Sequence, residues 1–422
     1  MKIKKTIHDV INGLLPTMEP NGTLLVALNE EIIYKQCFGF ADMANKTLVT
    51  FDTQFLAGSV TKQFTAAAIL KALLDISLQN GIDKNDLANL KNNIQAKLAH
   101  AVAHYLPQEH PLWDGLMPSW AKRVTLHQLL IHSSGISNYT GLPDFENKAF
   151  PKPSDLVDFF KTHDLEFNSG EKFSYSNSGY FLLGIIAQQI THQPLESYLQ
   201  TQFFAPFNMH ASFLATQHTA KELKQTDSRA ANLACGYQFD MTKPQANLIE
   251  VKNSISMQIP GAAGSLVSTA SDLLKWNNAL YTGKIIPLFL LDLMLKPHIQ
   301  TEQKNAYYGY GIEVLKSGSF GEYYTHRGGI PGFHSKLTFI PSLQLSMIVL
   351  ENLHEDKSRL MPEIERMRAA LPTTLTESEK WQEVDKMIAG KYPSIIENRQ
   401  RYELMLVEEA IIEALSVFEN RI

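Results

Sequence analysis

The stretch GSVTKQFTAAAIL, residues 58–70, sets Ser59 and Lys62 three positions apart at the start of an apolar run. On a helix such residues share a face, so the hydroxyl and the amine come within reach of each other. An alcohol is a weak nucleophile until a neighbouring base takes its proton, and this pair supplies both partners. Two further polar clusters follow in order. Residues 175–177 read Tyr-Ser-Asn, and residues 326–329 read His-Arg-Gly-Gly on what reads as a strand.

Each cluster alone has an ordinary explanation. Serine is a common helix cap, a buried tyrosine is routine, and asparagine favours turns. The order of the three is what carries weight, because S-x-x-K, S-D-N and K-T-G are the elements of penicillin-binding proteins and class A β-lactamases, and Y-S-N and H-R-G stand here in the second and third places. The sequence closely resembles that serine hydrolase superfamily over roughly residues 15–355, in its branch of class C enzymes, family VIII esterases and D-amino-acid peptidases. VTLHQLLIHSSGI (124–136) is similar to the family's segment before the tyrosine loop, and PGAAGSLVSTASDLLKW (260–276) to its small-residue active-site loop.

The resemblance implies roles. Ser59 attacks a carbonyl while Lys62 and Tyr175 share its proton, with an ammonium expected to lower the phenol's pKa. Asn177 hydrogen-bonds Lys62 and substrate. The amides of Ser59 and Gly329 form the oxyanion hole, where glycine permits close approach. His326, Arg327 and Gly328 join the substrate-binding set. Strand alternation turns Arg327 away if His326 faces the cleft, so for Arg327 substrate contact and a solvated strand residue stand as alternatives. His326 lacks the permanent charge of the usual third-motif lysine, which favours neutral substrates. The implied product is a serine hydrolase working through an acyl-enzyme on an ester or amide, carboxylesterase-like first. D,D-peptidase, D-aminopeptidase and β-lactamase are the alternatives. A non-catalytic sensor is the reading of another class, and the presence of both Lys62 and Tyr175 speaks against it.

Elements must carry these residues. Residues 23–42 read as a hairpin around Asn29 and Glu30, and 59–74 as a buried central helix. Residues 76–120 are polar and helical, 179–190 another buried helix, and 268–280 an amphipathic one capped by Thr269. Strand signals return at 307–315, 335–341 and 345–352, and should share one sheet with the hairpin. The expected fold is α+β, β-lactamase/transpeptidase-like: an antiparallel sheet flanked by helices plus an all-helical lobe. Residues 1–372 form the hydrolase domain, with the lobe inserted at about 76–260, and 373–422 a helical extension. The extension should open with a T-x-x-E capping box at 376–379 and contain two helices broken near Pro393. Leu404, Val407, Ile411, Leu415 and Phe418 form a stripe that must dock on the body or on a second copy, which would make a homo-oligomer.

The resemblance implies a small-molecule or peptide substrate, and the bulk properties argue against other partners. Of 422 residues 38 are Lys or Arg and 43 Asp or Glu, a balance of -5 that advertises no nucleic-acid surface. Cys37 and Cys235 are too far apart for a C-x-x-C site. His100, His104 and His110 mimic a metal-binding face without acidic or thiol company, so no metal or cofactor is expected. No membrane span is expected. Asp9 and Asn12 interrupt any signal-peptide core, leaving a cytoplasmic location as the default.

Overall fold

The computed structural model describes residues 2–240, 242–243, 248–251, 255–356, 360–372, 374–375 and 377–419. Its centre is an eight-stranded antiparallel sheet. In chain order the strands are β1 (Gly22–Leu28), β2 (Glu31–Phe38), β3 (Ile299–Gln300), β4 (Ala306–Tyr308), β5 (Glu313–Ser317), β6 (Gly321–Ile330), β7 (Phe333–Ile340) and β8 (Leu345–Glu351). Their spatial order is β3-β4-β5-β6-β7-β8-β1-β2, so the first hairpin joins the late meander through the β1–β8 pair. Asn29 and Glu30 both adopt positive φ, as a tight two-residue hairpin turn requires.

Both faces of the sheet are covered, which explains why β8 is buried throughout. Side chains alternate between faces. Leu25, Ala27, Ile348 and Leu350 join the main core, whereas Leu24, Val26, Met347 and Val349 join a second cluster on the outer face. Helix α2 (Thr61–Gln79) runs through the main core with residues buried on nearly every side. Helix α3 (Asn177–Thr191) packs against it, and α4 (Ala270–Tyr281) starts at a Thr269 cap whose hydroxyl accepts from the Asp272 amide. The polar stretch after α2 contains the helix Leu87–Leu98, which buries Leu90, Ile94 and Leu98. Short strands at Phe213–Leu214, Tyr237–Asp240 and Leu248–Glu250 are interspersed with the helices that follow, so the segment to residue 260 is not all-helical. Tyr237–Asp240 pairs in parallel with Leu353–Asp356.

The outer cluster is built by both chain ends. Helix α1 (Lys2–Leu14) contributes Ile7 and Ile11. The C-terminal region forms three helices rather than the expected two: α5 (Glu377–Lys391), α6 (Pro393–Tyr402) and α7 (Met405–Glu419). The extra break comes at Glu403 and Leu404, where the backbone turns extended after α6 and the Leu404 amide donates to buried Glu351. Leu404, Val407, Ile411 and Leu415 pack on the sheet of their own chain. The stripe is therefore covered by the body of its own chain, the first of the two expected alternatives, and a dimer through it would have no apolar face left. Thr376 of the expected capping box and the Phe418 side chain lie outside the described residues. No described helix is long and apolar enough to cross a membrane.

Candidate active site

Ser59 stands in the turn that enters α2, and that turn is pressed onto β6. Gly58 has φ +49, and a Cβ there would come within 2.8 Å of the Gly329 nitrogen. A Cβ on Gly328 would lie 2.0 Å from the Ala57 carbonyl, which also accepts from the Ser335 hydroxyl at 2.7 Å. Only glycines allow this contact. It brings Ser59 and Gly329 together on the wall of one cleft of about 600 Å³, lined also by Tyr139, Phe145, Lys148, Asn177, Ile259 and Ala263.

Lys62 is fully buried beneath Ser59. Its Nζ lies 3.0 Å from Ser59 Oγ, 2.8 Å from Asn177 Oδ1 and 2.8 Å from the Ala263 carbonyl. Asn177 begins α3, where Ser176 caps the helix through the Gly179 amide and Asn138 Oδ1 accepts from the Asn177 amide. The small-residue loop is laced to α2 by Thr65, whose hydroxyl donates to the Ala262 carbonyl. Tyr175 hydrogen-bonds Ser59, and Lys62 Nζ sits 4.8 Å from the centre of its ring.

Burial sets the protonation of this group. Loss of hydration drives the Lys62 amine well below the usual lysine range. The same cause pushes the Tyr175 phenol up, with the Ser59 hydrogen bond only partly opposing it. The expected ammonium-lowered phenol is thereby corrected, because Lys62 faces the ring and is itself disfavoured as a cation. A neutral amine has two N–H donors and one lone pair. In that state the Asn177 and Ala263 oxygens would take the two donors and leave the lone pair for the Ser59 hydroxyl.

The third motif divides across the sheet. Gly328 supplies the close approach, and the Gly329 backbone lies against Gly58. His326, expected in contact with substrate, is 1% exposed and outside the cleft lining. Its Nδ1 donates to the Arg327 carbonyl at 2.7 Å, and its Nε2 accepts from the Tyr308 hydroxyl at 2.8 Å, so neither nitrogen is left for substrate. Burial pushes its pKa down to about 3. Arg327, placed in the substrate-binding set by the resemblance, points to the opposite face and pairs with Glu409 of α7 at 2.5 Å. Alternation is the reason in both cases.

Sequence reasoning missed several supports. The Ala263 carbonyl and Asn138 have backbone or loop roles with no type signature. His132, read as structural, brackets Tyr175: its carbonyl accepts from the Ser174 amide, its Nδ1 accepts from the Ser176 amide at 3.0 Å, and its ring lies 4.3 Å from that of Tyr175. His100 and His104 lie ring against ring, but no metal-holding group of three ligands occurs among the described residues. Cys37 and Cys235 are free.

Known proteins share this fold. Penicillin-binding protein 4* of Bacillus subtilis (strain 168) is 23% identical over 363 residues, covering 84% of this chain and 72% of that protein. The solved D-amino acid amidase from Ochrobactrum anthropi SV3 in complex with D-phenylalanine superposes with a TM-score of 0.68 at 21% identity, covering 99% of this chain and all of the other. EstCE1, a hydrolase with promiscuous acyltransferase activity, matches with a TM-score of 0.62 at 19% identity over 83% of this chain and 93% of its own. The family model Beta-lactamase matches residues 16–371, and the chain belongs to that family, the serine hydrolases of β-lactamase and penicillin-binding-protein type.

Proposed function

We propose that the protein hydrolyses uncharged esters, and amides more slowly, through an acyl-enzyme on Ser59. The observation that carries this reading is the fully buried Lys62, held by two acceptor oxygens with its third position at Ser59 Oγ. Neutral Lys62 takes the Ser59 proton as Oγ attacks the carbonyl carbon. The amides of Ser59 and Gly329 stabilise the oxyanion. On collapse the leaving oxygen takes a proton from the Tyr175 phenol, and the proton held by Lys62 restores that phenol. In deacylation a water gives its proton back along the same groups, and Ser59 regains its own as the acid departs.

Substrate preference follows from charge placement. A carboxylate on β-lactams or peptide C-termini needs a cation beside the third motif, but His326 is neutral and buried and Arg327 is paired on the far face. Lys148 is the single charged side chain among the described lining, and it lies on the wall built by the lobe. The likeness to a D-amino acid amidase favours D-amino-acid amides as a second reading. Against it, no carboxylate among the described lining meets a substrate ammonium.

Turnover of p-nitrophenyl butyrate, nitrocefin and D-phenylalanine amide, each with a Ser59→Ala control and intact-mass detection of the acyl adduct, tests the proposal. Ester turnover that exceeds the other two and vanishes in Ser59→Ala is expected. Nitrocefin as the best substrate would refute the charge argument. Equal turnover by Ser59→Ala would refute the mechanism, and no turnover or labelling at all would favour a binding role.

A further inference from the structure

Arg327 immediately precedes Gly328 and Gly329 on β6, and the antiparallel register sets it directly opposite Lys336 on β7. Both side chains leave the sheet on its outer face, where each meets an acid of α7. Like charges opposed across a strand pair repel each other. Helix α7 answers with two consecutive glutamates. Glu408 Oε2 accepts from Lys336 Nζ at 2.5 Å, while Glu409 Oε1 lies 2.5 Å from Arg327 Nη2 and 3.6 Å from the Lys336 amine. The Lys336–Glu408 contact is closed to solvent, its side chains 6% and 1% exposed. One step along the ladder, Gly328 pairs with Ser335, the residue that holds the Ala57 carbonyl, and the next pair is Gly329 with His334.

We infer that Glu408 and Glu409 are positioning residues for the oxyanion site, setting the depth and register of β6 and β7 by neutralising Arg327 and Lys336. This rests on the reading of Gly329 as an oxyanion donor. Such a donor works only within about 2.7–3.1 Å of the developing charge, so small displacements of β6 reach the chemistry. Gly328 leaves no slack, because its backbone already touches Ala57. Docking of α7 does not require the acids. Leu404, Val407, Ile411 and Leu415 anchor the region, and a buried ion pair adds little net stability because desolvation offsets the attraction. What the two glutamates supply is charge balance one residue away from the oxyanion strand segment.

The test uses the full chain, p-nitrophenyl butyrate as substrate, and active sites counted with a fluorophosphonate. Replacing both acids, Glu408→Gln with Glu409→Gln, should lower kcat per titrated site about tenfold with KM nearly unchanged, short of the ~10²-fold or larger loss expected when an oxyanion donor is removed. Because that variant could simply loosen the fold, a second adds Arg327→Met and Lys336→Met to it. Removing the opposed cations should return kcat to within about twofold of the starting protein, since no repulsion remains to displace the strands. An unaltered kcat in the first variant, a loss seen only in KM, or a second variant as slow as the first would overturn the inference. Absence of Ser59-dependent hydrolysis in the unaltered chain would instead refute the proposed function, and the inference with it.

Discussion

Replacing Lys62 by methionine separates a neutral buried amine from an ordinary lysine. Lys62 is fully buried, and dehydration lowers its pKa in the folded state while the unfolded chain keeps the usual 10.5. Between those two values the unfolded state binds the proton that the folded state refuses, so stability rises with pH. The folding penalty is present at lower pH and fades toward 10.5. One proton corresponds to about 1.4 kcal/mol per pH unit. Methionine removes that slope, and it leaves the Asn177 and Ala263 oxygens unpaired, a pH-independent cost of ~1–3 kcal/mol for each buried acceptor. Urea denaturation of both proteins at pH 8, 9 and 10 should show the unaltered chain gaining on the variant as pH rises, by up to about 1.4 kcal/mol per unit. His326 titrates far below this range and does not contribute. In the same variant kcat for an ester should fall by ~10²–10⁴, the usual worth of a general base. A stability difference that stays flat from pH 8 to 10 would mean that Lys62 is charged in the folded protein, and the assignment of it as base would fail.

Gly328→Ala should lower both stability and ester turnover, since its Cβ would meet the Ala57 carbonyl at 2.0 Å, whereas Gly329→Ala, with nothing nearer than 3.7 Å, should leave the melting temperature nearly unchanged; equal melting temperatures would contradict the packing described for β6. Burial, reinforced by Glu355, pushes the Glu403 carboxyl up to about 7. Its stabilising contribution is full below the ordinary carboxyl value and is lost as pH rises through 7, so Glu403→Gln should flatten the pH dependence of the melting temperature between pH 5 and 8. Ile411→Ala, at a fully buried position of α7, should cost about 2–5 kcal/mol in urea denaturation. A change under half of that would mean that the stripe is not packed as described.

Local spacing made the first half of the site legible. Ser59 and Lys62 meet because residues three apart share a turn, Thr269 caps α4 through its own hydroxyl, and Asn29–Glu30 closes the first hairpin. Each of these depends on neighbours within a few positions, and so does the alternation that sends Leu24 and Leu25 to opposite faces of the sheet. The same alternation, read along β6, anticipated that His326 and Arg327 could not both face the cleft.

Which of them would line the cleft was a different question, and neither is among its described lining residues. His326 is sealed by Tyr308 and the Arg327 carbonyl, and Arg327 is claimed by a helix that begins 78 positions later. Protonation was equally out of reach from composition, because an amine beside a phenol reads as an ammonium until its hydration is known. Only the closing of α2, α3 and the small-residue loop around Lys62 removes that water and reverses the pKa logic. The stripe from Leu404 to Leu415 announced that something must cover it, while the covering surface came from β1, β7, β8 and α1. Residue types and short spacings determined the candidate nucleophile, its partner and the strands. Burial, facing and charge balance belong to contacts between segments far apart in the chain, and those were decided by the tertiary structure.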